Sequence, residues 1–177
     1  NIRSNVLLST PHARTAPSRL PTTTHGAATF ERAGPYVTAR ITRIAAAWRA
    51  SLWLVDLDSA PDDAELATLS AAECSRGHRF VFAHDRDRYF SSHAALRQLL
   101  AERNGVPAAE LVFALGPNGK PTLEGSGRTA FNMSCSGGTG VIAIAEQGTV
   151  GVDVELLREI SNVDDLVSEH FTQMEQA

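Results

Sequence analysis

Lysine is almost missing from this 177-residue chain: Lys120 is the single one, and arginine carries the rest of the positive charge. Acidic residues are nearly missing before position 50, where Arg3, Arg14, Arg19, Arg32, Arg40, Arg43 and Arg49 meet only Glu31. The net charge is nevertheless −4, so the acidic character belongs to the later part and a composition break falls near Ala50. An acidic balance argues against a nucleic-acid partner, because neutralising phosphates needs a surplus of Lys and Arg. Cysteine occurs twice, as Cys74 and Cys135, in dissimilar contexts and without metal-ligand spacing. That argues against a disulfide framework or a zinc site and fits a reducing, cytoplasmic setting. No apolar run approaches the roughly 20 residues of a membrane-spanning helix, since Arg43 and Arg49 interrupt the one stretch around Ile44 to Val55. No membrane partner is expected.

The first 35 residues are rich in Ser, Thr, Pro and Arg, lack a sustained apolar period, and do not begin with Met. Residues 1–49 therefore read as a disordered or non-native extension. An organelle transit peptide has this look, and so does a frame read upstream of the true start, which is the preferred reading. The chain is long enough for one well-packed domain, or for one domain and part of another.

Organised structure is expected from Ser51, where S-L-W-L-V-D-L-D reads as a strand entering a turn. Pro61 and the acidic residues after it predict a helix running towards Arg79. A second helix is predicted over Asp85 to Arg103, where Tyr89, Ala95, Leu96, Leu99 and Leu100 recur at helical spacing and Asn104-Gly105 closes the pattern. Leu111–Leu115, Phe131–Ser134, Val141–Ala145 and Val150–Glu155 are strand-like. Gly116 to Pro121 has turn punctuation, and Glu146-Gln147-Gly148 predicts a hairpin joining the last two strands. Val163 to His170 restarts a helical pattern.

Several segments have side chains suited to chemistry, each with an ordinary structural alternative. Strand alternation in G-V-D-V-E puts Asp153 and Glu155 on one face, where two converging carboxylates suit Mg²⁺, although a solvated edge strand has the same pattern. N-M-S-C-S-G-G, residues 132–138, is either a loop bringing backbone N–H groups near a phosphate or a plain turn. Cys135 within it would be a nucleophile only with a His base, and His78, His84 and His93 lie far off in sequence. G-S-G-R-T-A, residues 125–130, superficially matches a dinucleotide fingerprint, but a strand rather than a helix is expected after it, so a Rossmann reading is discarded. Arg76, Arg79, Arg86 and Arg88 cluster at the junction of the two predicted helices and could hold a polyanion, or be solvated with local pairs such as Arg86 with Asp85 or Asp87.

Taken in order, W-L-V-D-L-D, R-F with a downstream D-R-D-R, N-G-K-P, F-N-M-S-C-S-G-G and G-V-D-V-E resemble the surfactin-type 4'-phosphopantetheinyl transferases, from about Leu52 onwards. The resemblance implies an α+β fold that is half of a pseudo-dimer: residues 50–149 as the first half and 150–177 as the opening of a second. It implies transfer of phosphopantetheine from coenzyme A, the co-substrate, to a serine of an apo acyl or peptidyl carrier protein, with adenosine 3',5'-bisphosphate as by-product. Asp153 and Glu155 would bind Mg²⁺ as the catalytic pair, and Arg76, Arg88, Lys120, Ser134 and Cys135 would contact the coenzyme.

Two departures from the family pattern matter. Cys135 stands where the family usually has a histidine in S-H-S, and a neutral thiol is a poorer phosphate ligand. The later W-x-x-K-E motif, with a third acidic group and a lysine, does not occur in the chain. The chain alone is therefore expected to be inactive and to self-associate through an uncovered apolar face. A module that binds coenzyme A or a carrier protein without turnover is the alternative.

Overall fold

The computed structural model describes residues 2–9, 40–47, 50–116, 119–125, 129–157, 168–169 and 172, with backbone only at 2–9 and 45–47. The elements in chain order are β1 (Ile2–Ser9), β2 (Ile41–Ala47), β3 (Ala50–Asp56), α1 (Asp63–Leu66), α2 (Ala71–Gly77), α3 (Ala83–Asn104), a 3₁₀ turn (Ala108–Glu110), β4 (Phe113–Leu115), β5 (Pro121–Leu123), β6 (Ala130–Ser136), β7 (Thr139–Ala145) and β8 (Thr149–Leu156). The fold is α+β, built on an open antiparallel sheet of order β2-β3-β7-β6. Two smaller antiparallel pairs, β1-β8 and β4-β5, accompany it. No helix among the described residues is long and apolar enough to cross a membrane.

The sheet is buried on both faces, and alternation decides which side chain goes where. Val55 of β3, Phe131 of β6, and Ile142 and Ile144 of β7 face α3, where Ala95, Leu96, Leu99 and Leu100 complete a core. The intervening Val141, Ala143 and Ala145 face the other way and meet Val150, Val152 and Val154 of β8, with Leu52 and Leu54 alongside. This is why β7 reads as a nearly unbroken apolar run: both of its faces are covered. Helix α3 ends on Gly105, whose φ of 65° is the left-handed conformation glycine supplies at a helix C-terminus.

Three expectations need correction. The single helix from Pro61 towards Arg79 is two short helices, because Asp62 with Glu65 and Ser70 with Glu73 each form a capping box, and the second box restarts the chain in a new direction. The hairpin at Glu146–Gly148 does not form, because β3 and β6 already occupy the two edges of β7. Strand β8 instead crosses the sheet's outer face and pairs with β1, Val154 opposite Ser4. Ordered structure also begins before Ala50. Strand β2 pairs along β3 with Ile41 buried opposite Val55, and Arg40 reaches Ser91, the Ser59 carbonyl and Glu65. Strand pairing depends on a distant partner, which local composition does not reveal. The helix expected over Val163 to His170 lies outside the described residues except at Ser168 and Glu169.

Arg97 is the most buried charge described, 2% exposed on α3. Its guanidinium holds the Glu73 carboxylate at 2.8 Å, donates to the carbonyls of Ala108 and Leu111, and lies over the Phe113 ring. One side chain thus ties α2, α3 and the approach to β4. Burial alone would raise the pKa of Glu73, but hydrogen bonds from Arg97 and Ser70 outweigh it and hold the carboxyl below its ordinary value. Arg97→Ala would strand both the carboxylate and the carbonyls and is expected to lower stability by about 3–5 kcal/mol in urea unfolding. With the folded pKa depressed, the pair's contribution is complete above the ordinary value of 4.5 and is lost as pH falls below it. Stability of the native chain should therefore fall more steeply with acidification than that of Glu73→Gln.

The β6–β7 turn is tight for a different reason. Ser136 faces Thr139 in the ladder, leaving Gly137-Gly138 as a two-residue loop with Gly137 at φ 57°. A Cβ on Gly138 would stand 2.1 Å from Oδ2 of Asp58, whose carboxylate also accepts from Arg88. Because that neighbour is the exposed end of a side chain that can turn away, Gly138→Ala is expected to cost the fold no more than about 1 kcal/mol, chiefly by disturbing the Asp58–Arg88 pair. An Asp58→Ala background should relieve most of that loss, measured as a double-mutant cycle.

Candidate functional site

Strand β6 is an edge of the four-stranded sheet, and its motif F-N-M-S-C-S divides between two faces. Phe131 and Met133 pack into the core beneath α3. Asn132, Ser134 and Ser136 take the alternate positions and reach β8. The Asn132 side-chain oxygen accepts the Val152 N–H at 2.8 Å, Ser134 Oγ accepts the Val154 N–H at 3.2 Å, and Ser136 Oγ accepts the Leu156 N–H at 3.1 Å. Three side chains therefore replace the backbone ladder that β6 and β8 do not form.

Held this way, β8 buries Val150, Val152 and Val154 and exposes Asp153 and Glu155. Ser134 Oγ also donates to Asp153 Oδ1 at 2.8 Å. Among the residues whose side chains are described, neither carboxylate forms an ion pair with Arg, Lys or His; β1 places Arg3 opposite Glu155 in the ladder. Two like charges on one strand face repel unless a cation lies between them, so the donor set suits a hard divalent ion. Among the described residues no cluster of three or more His, Cys, Asp or Glu is placed to hold a metal, so this pair has no third protein ligand of those types there.

The other residues singled out from the sequence do not gather in one pocket. Lys120, beyond the β4–β5 turn, donates from Nζ to the Val150 carbonyl at the start of β8. Arg88 binds Asp58 through Nε and a terminal nitrogen, at 2.9 and 2.7 Å, in a partly exposed pair. Arg86 is paired with Asp87, so part of the basic cluster is neutralised locally. Arg76 has no acidic partner among the described residues, and its guanidinium lies 5.8 Å from the Tyr89 ring centroid. It lines a cavity of about 680 Å³ that Tyr89, His93, Pro121, Phe131 and Met133 also line. Of the seven candidate residues, Arg76 alone faces this cavity.

Cys135 is exposed at the surface, yet the atoms packed around its sulfur raise the thiol pKa above the ordinary value, with a hydrogen bond to Ser92 acting in the opposite sense. Ser92 Oγ lies 3.2 Å from His93 Nδ1, so the fold does bring a histidine within one side chain of the cysteine. Burial lowers the pKa of His93, while its contact with the Tyr89 carbonyl raises it. Both groups are thus neutral near pH 7, the reverse of an activated thiolate–imidazolium pair, and the geometry does not support a cysteine nucleophile.

Sequence reasoning named Asn132 and Ser136 only within the 132–138 segment, Tyr89 only as a helix-period residue and His93 only as a histidine far from Cys135, and gave none of them its place in the site. The first two had a legible signal, because N-x-S-x-S alternates with F-x-M and so places polar side chains on one strand face. The cavity residues had none, since they come together only when α2, α3 and β4–β6 pack.

The geometry can be compared with known proteins. A family described as "4'-phosphopantetheinyl transferase, N-terminal" matches residues 61–147. The Synechocystis sp. protein slr0495, provisionally named a 4'-phosphopantetheinyl transferase, is 34% identical over 108 residues, 60% of this chain and 44% of that protein. The 4'-phosphopantetheinyl transferase HetI of Nostoc sp. is 30% identical over 129 residues, 70% of this chain and 54% of HetI. The 4'-phosphopantetheinyl transferase psf-1 of Bacillus pumilus is 30% identical over 93 residues, 52% of this chain and 38% of psf-1. The matched stretches span about half the length of these relatives or less. On the family match and these relatives together, this chain belongs to the 4'-phosphopantetheinyl transferase family.

Proposed function

We propose that the protein carrying this chain is a transferase of the surfactin type that moves 4'-phosphopantetheine from coenzyme A to a serine of an apo acyl or peptidyl carrier protein, a holo-acyl-carrier-protein synthase activity. The observation that carries this reading is the exposure of Asp153 and Glu155 on one face of β8, without an ion pair to any residue whose side chain is described. In the reaction the carrier serine oxygen bonds to the phosphorus that bears the pantetheine arm, the pyrophosphate P–O bond breaks, the serine proton leaves, and adenosine 3',5'-bisphosphate departs. Mg²⁺ held by Asp153 and Glu155 would supply charge neutralisation at the pyrophosphate.

The chain's own residues then have distinct tasks. Arg76 is the coenzyme contact best supported by its surroundings, being without an acidic partner among the described residues and facing the cavity. Lys120 and Arg88 would bind phosphate oxygens by giving up the Val150 carbonyl and Asp58. Cys135 completes the proposed contacts as a weak donor with its thiol protonated, so coenzyme binding should be weaker than in a histidine-bearing relative; Ser134, which the resemblance also places at the coenzyme, gives its proton to Asp153. The proposed organisation is a first half at 50–149 and the opening of a second at 150–177, with coenzyme A between halves, in the cytoplasm.

Intact mass of an apo carrier protein incubated with coenzyme A, Mg²⁺ and a protein containing this chain tests the proposal. One added phosphopantetheine is expected, with the rate reduced about 10²–10³-fold by Asp153→Ala, the scale seen when a group stabilising transition-state charge is removed. Equal rates for the native and Asp153→Ala proteins would contradict it. Cys135→His is expected to tighten coenzyme A binding in calorimetry, and an unchanged affinity would remove Cys135 from the site.

A further inference from the structure

We propose that Ser134 is a positioning residue for the acidic strand: its hydroxyl fixes the Asp153 carboxylate and the β8 backbone together, within a row of three β6 side chains that sets the register of β8. The inference rests on Asp153 and Glu155 forming a cation site.

A serine hydroxyl has one proton to donate and two lone pairs to accept with. In this fold the proton goes to Asp153 Oδ1 at 2.8 Å and a lone pair takes the Val154 N–H at 3.2 Å. The side chain is thereby committed at both ends. It has no proton left for a phosphate oxygen while it holds Asp153, so its contribution to the site acts through that carboxylate. Asn132 and Ser136 make the matching bonds to Val152 and Leu156, each between residues 20 apart in sequence. A slip of β8 by one residue would break all three bonds, turn Asp153 and Glu155 inward and bring Val152 and Val154 to the surface. The three bonds and the buried valines therefore select the same register. Only Ser134 adds a bond to a carboxylate, which separates its task from that of its two neighbours.

Two readouts on the full 177-residue chain test this: residue-resolved amide hydrogen exchange and Mn²⁺ affinity by calorimetry, Mn²⁺ standing in for Mg²⁺. Ser134→Ala should speed exchange at Val154 and lower Mn²⁺ affinity about 10–100-fold, the usual effect of removing a group that orients a metal ligand. Ser134→Thr, which keeps the hydroxyl, should restore both. Ser136→Ala should speed exchange at Leu156 and leave Mn²⁺ affinity near native, because Ser136 touches no carboxylate. Asp153→Asn should abolish Mn²⁺ binding while Val154 stays protected. If Ser134→Ala does not fold, Ser134→Cys, nearly isosteric with a weak donor, gives the same comparison.

Unchanged exchange at Val154 in the Ser134 variant would overturn the proposal. Equal loss of Mn²⁺ affinity in the Ser134 and Ser136 variants would overturn the positioning role. If the native chain binds no Mn²⁺ while Ser134→Ala still exposes Val154, the cation reading has failed; the register role stands and the positioning role falls with that reading.

Discussion

The candidate site depends on an unusual junction between strands. Strand β8 meets β6 through side chains, because β6 contributes Asn132, Ser134 and Ser136 where a neighbouring strand would contribute carbonyls. This replacement is what lets β8 lie on the outer face of the sheet and not extend it. The displaced position directs one row of β8 side chains, Val150, Val152 and Val154, into the sheet and the alternate row, Asp153 and Glu155, to solvent. A plain backbone ladder would have placed β8 in plane with β6.

The rest of the fold makes that junction possible. Both edges of β7 are taken, so the chain leaving it must cross over the sheet. Helix α3 covers the opposite face, held by two arginine-centred contacts: Arg97 with Glu73 and two carbonyls, and Arg40 with Ser91, Ser59 and Glu65. Buried charges of this kind contribute modest net stability but are demanding geometrically, since losing one partner leaves the other unsatisfied. They fix where α2 and α3 sit relative to β4–β6, and hence the cavity that Arg76 faces.

Much of this was legible in the sequence where the information is local. The period of α3 and its Gly105 stop, the strands β3, β6, β7 and β8, and the shared face of Asp153 and Glu155 all follow from spacing alone. What could not be read was pairing. Strand β2, the fate of β8 and the reach of Arg40 depend on partners elsewhere in the chain. The break between α1 and α2 is an intermediate case, because Ser70 and Glu73 have the S-x-x-E spacing of a capping box, whereas the sequence reading ran one helix through them. For the site, the acidic pair was legible as chemistry. The commitment of Ser134 to Asp153 needed coordinates, because a strand pattern gives a side chain's face and not its partner.

The central claim is that β8 presents Asp153 and Glu155 as one cation site within reach of a coenzyme phosphate. The direct measurement is an anomalous-difference map from crystals of the chain grown with Mn²⁺ and coenzyme A. The account expects one Mn²⁺ peak bonded to oxygens of both Asp153 and Glu155 and to a pyrophosphate oxygen, with Ser134 still bonded to Asp153. Mn²⁺ bound to other residues, or coenzyme A bound with both carboxylates uncoordinated, would contradict it.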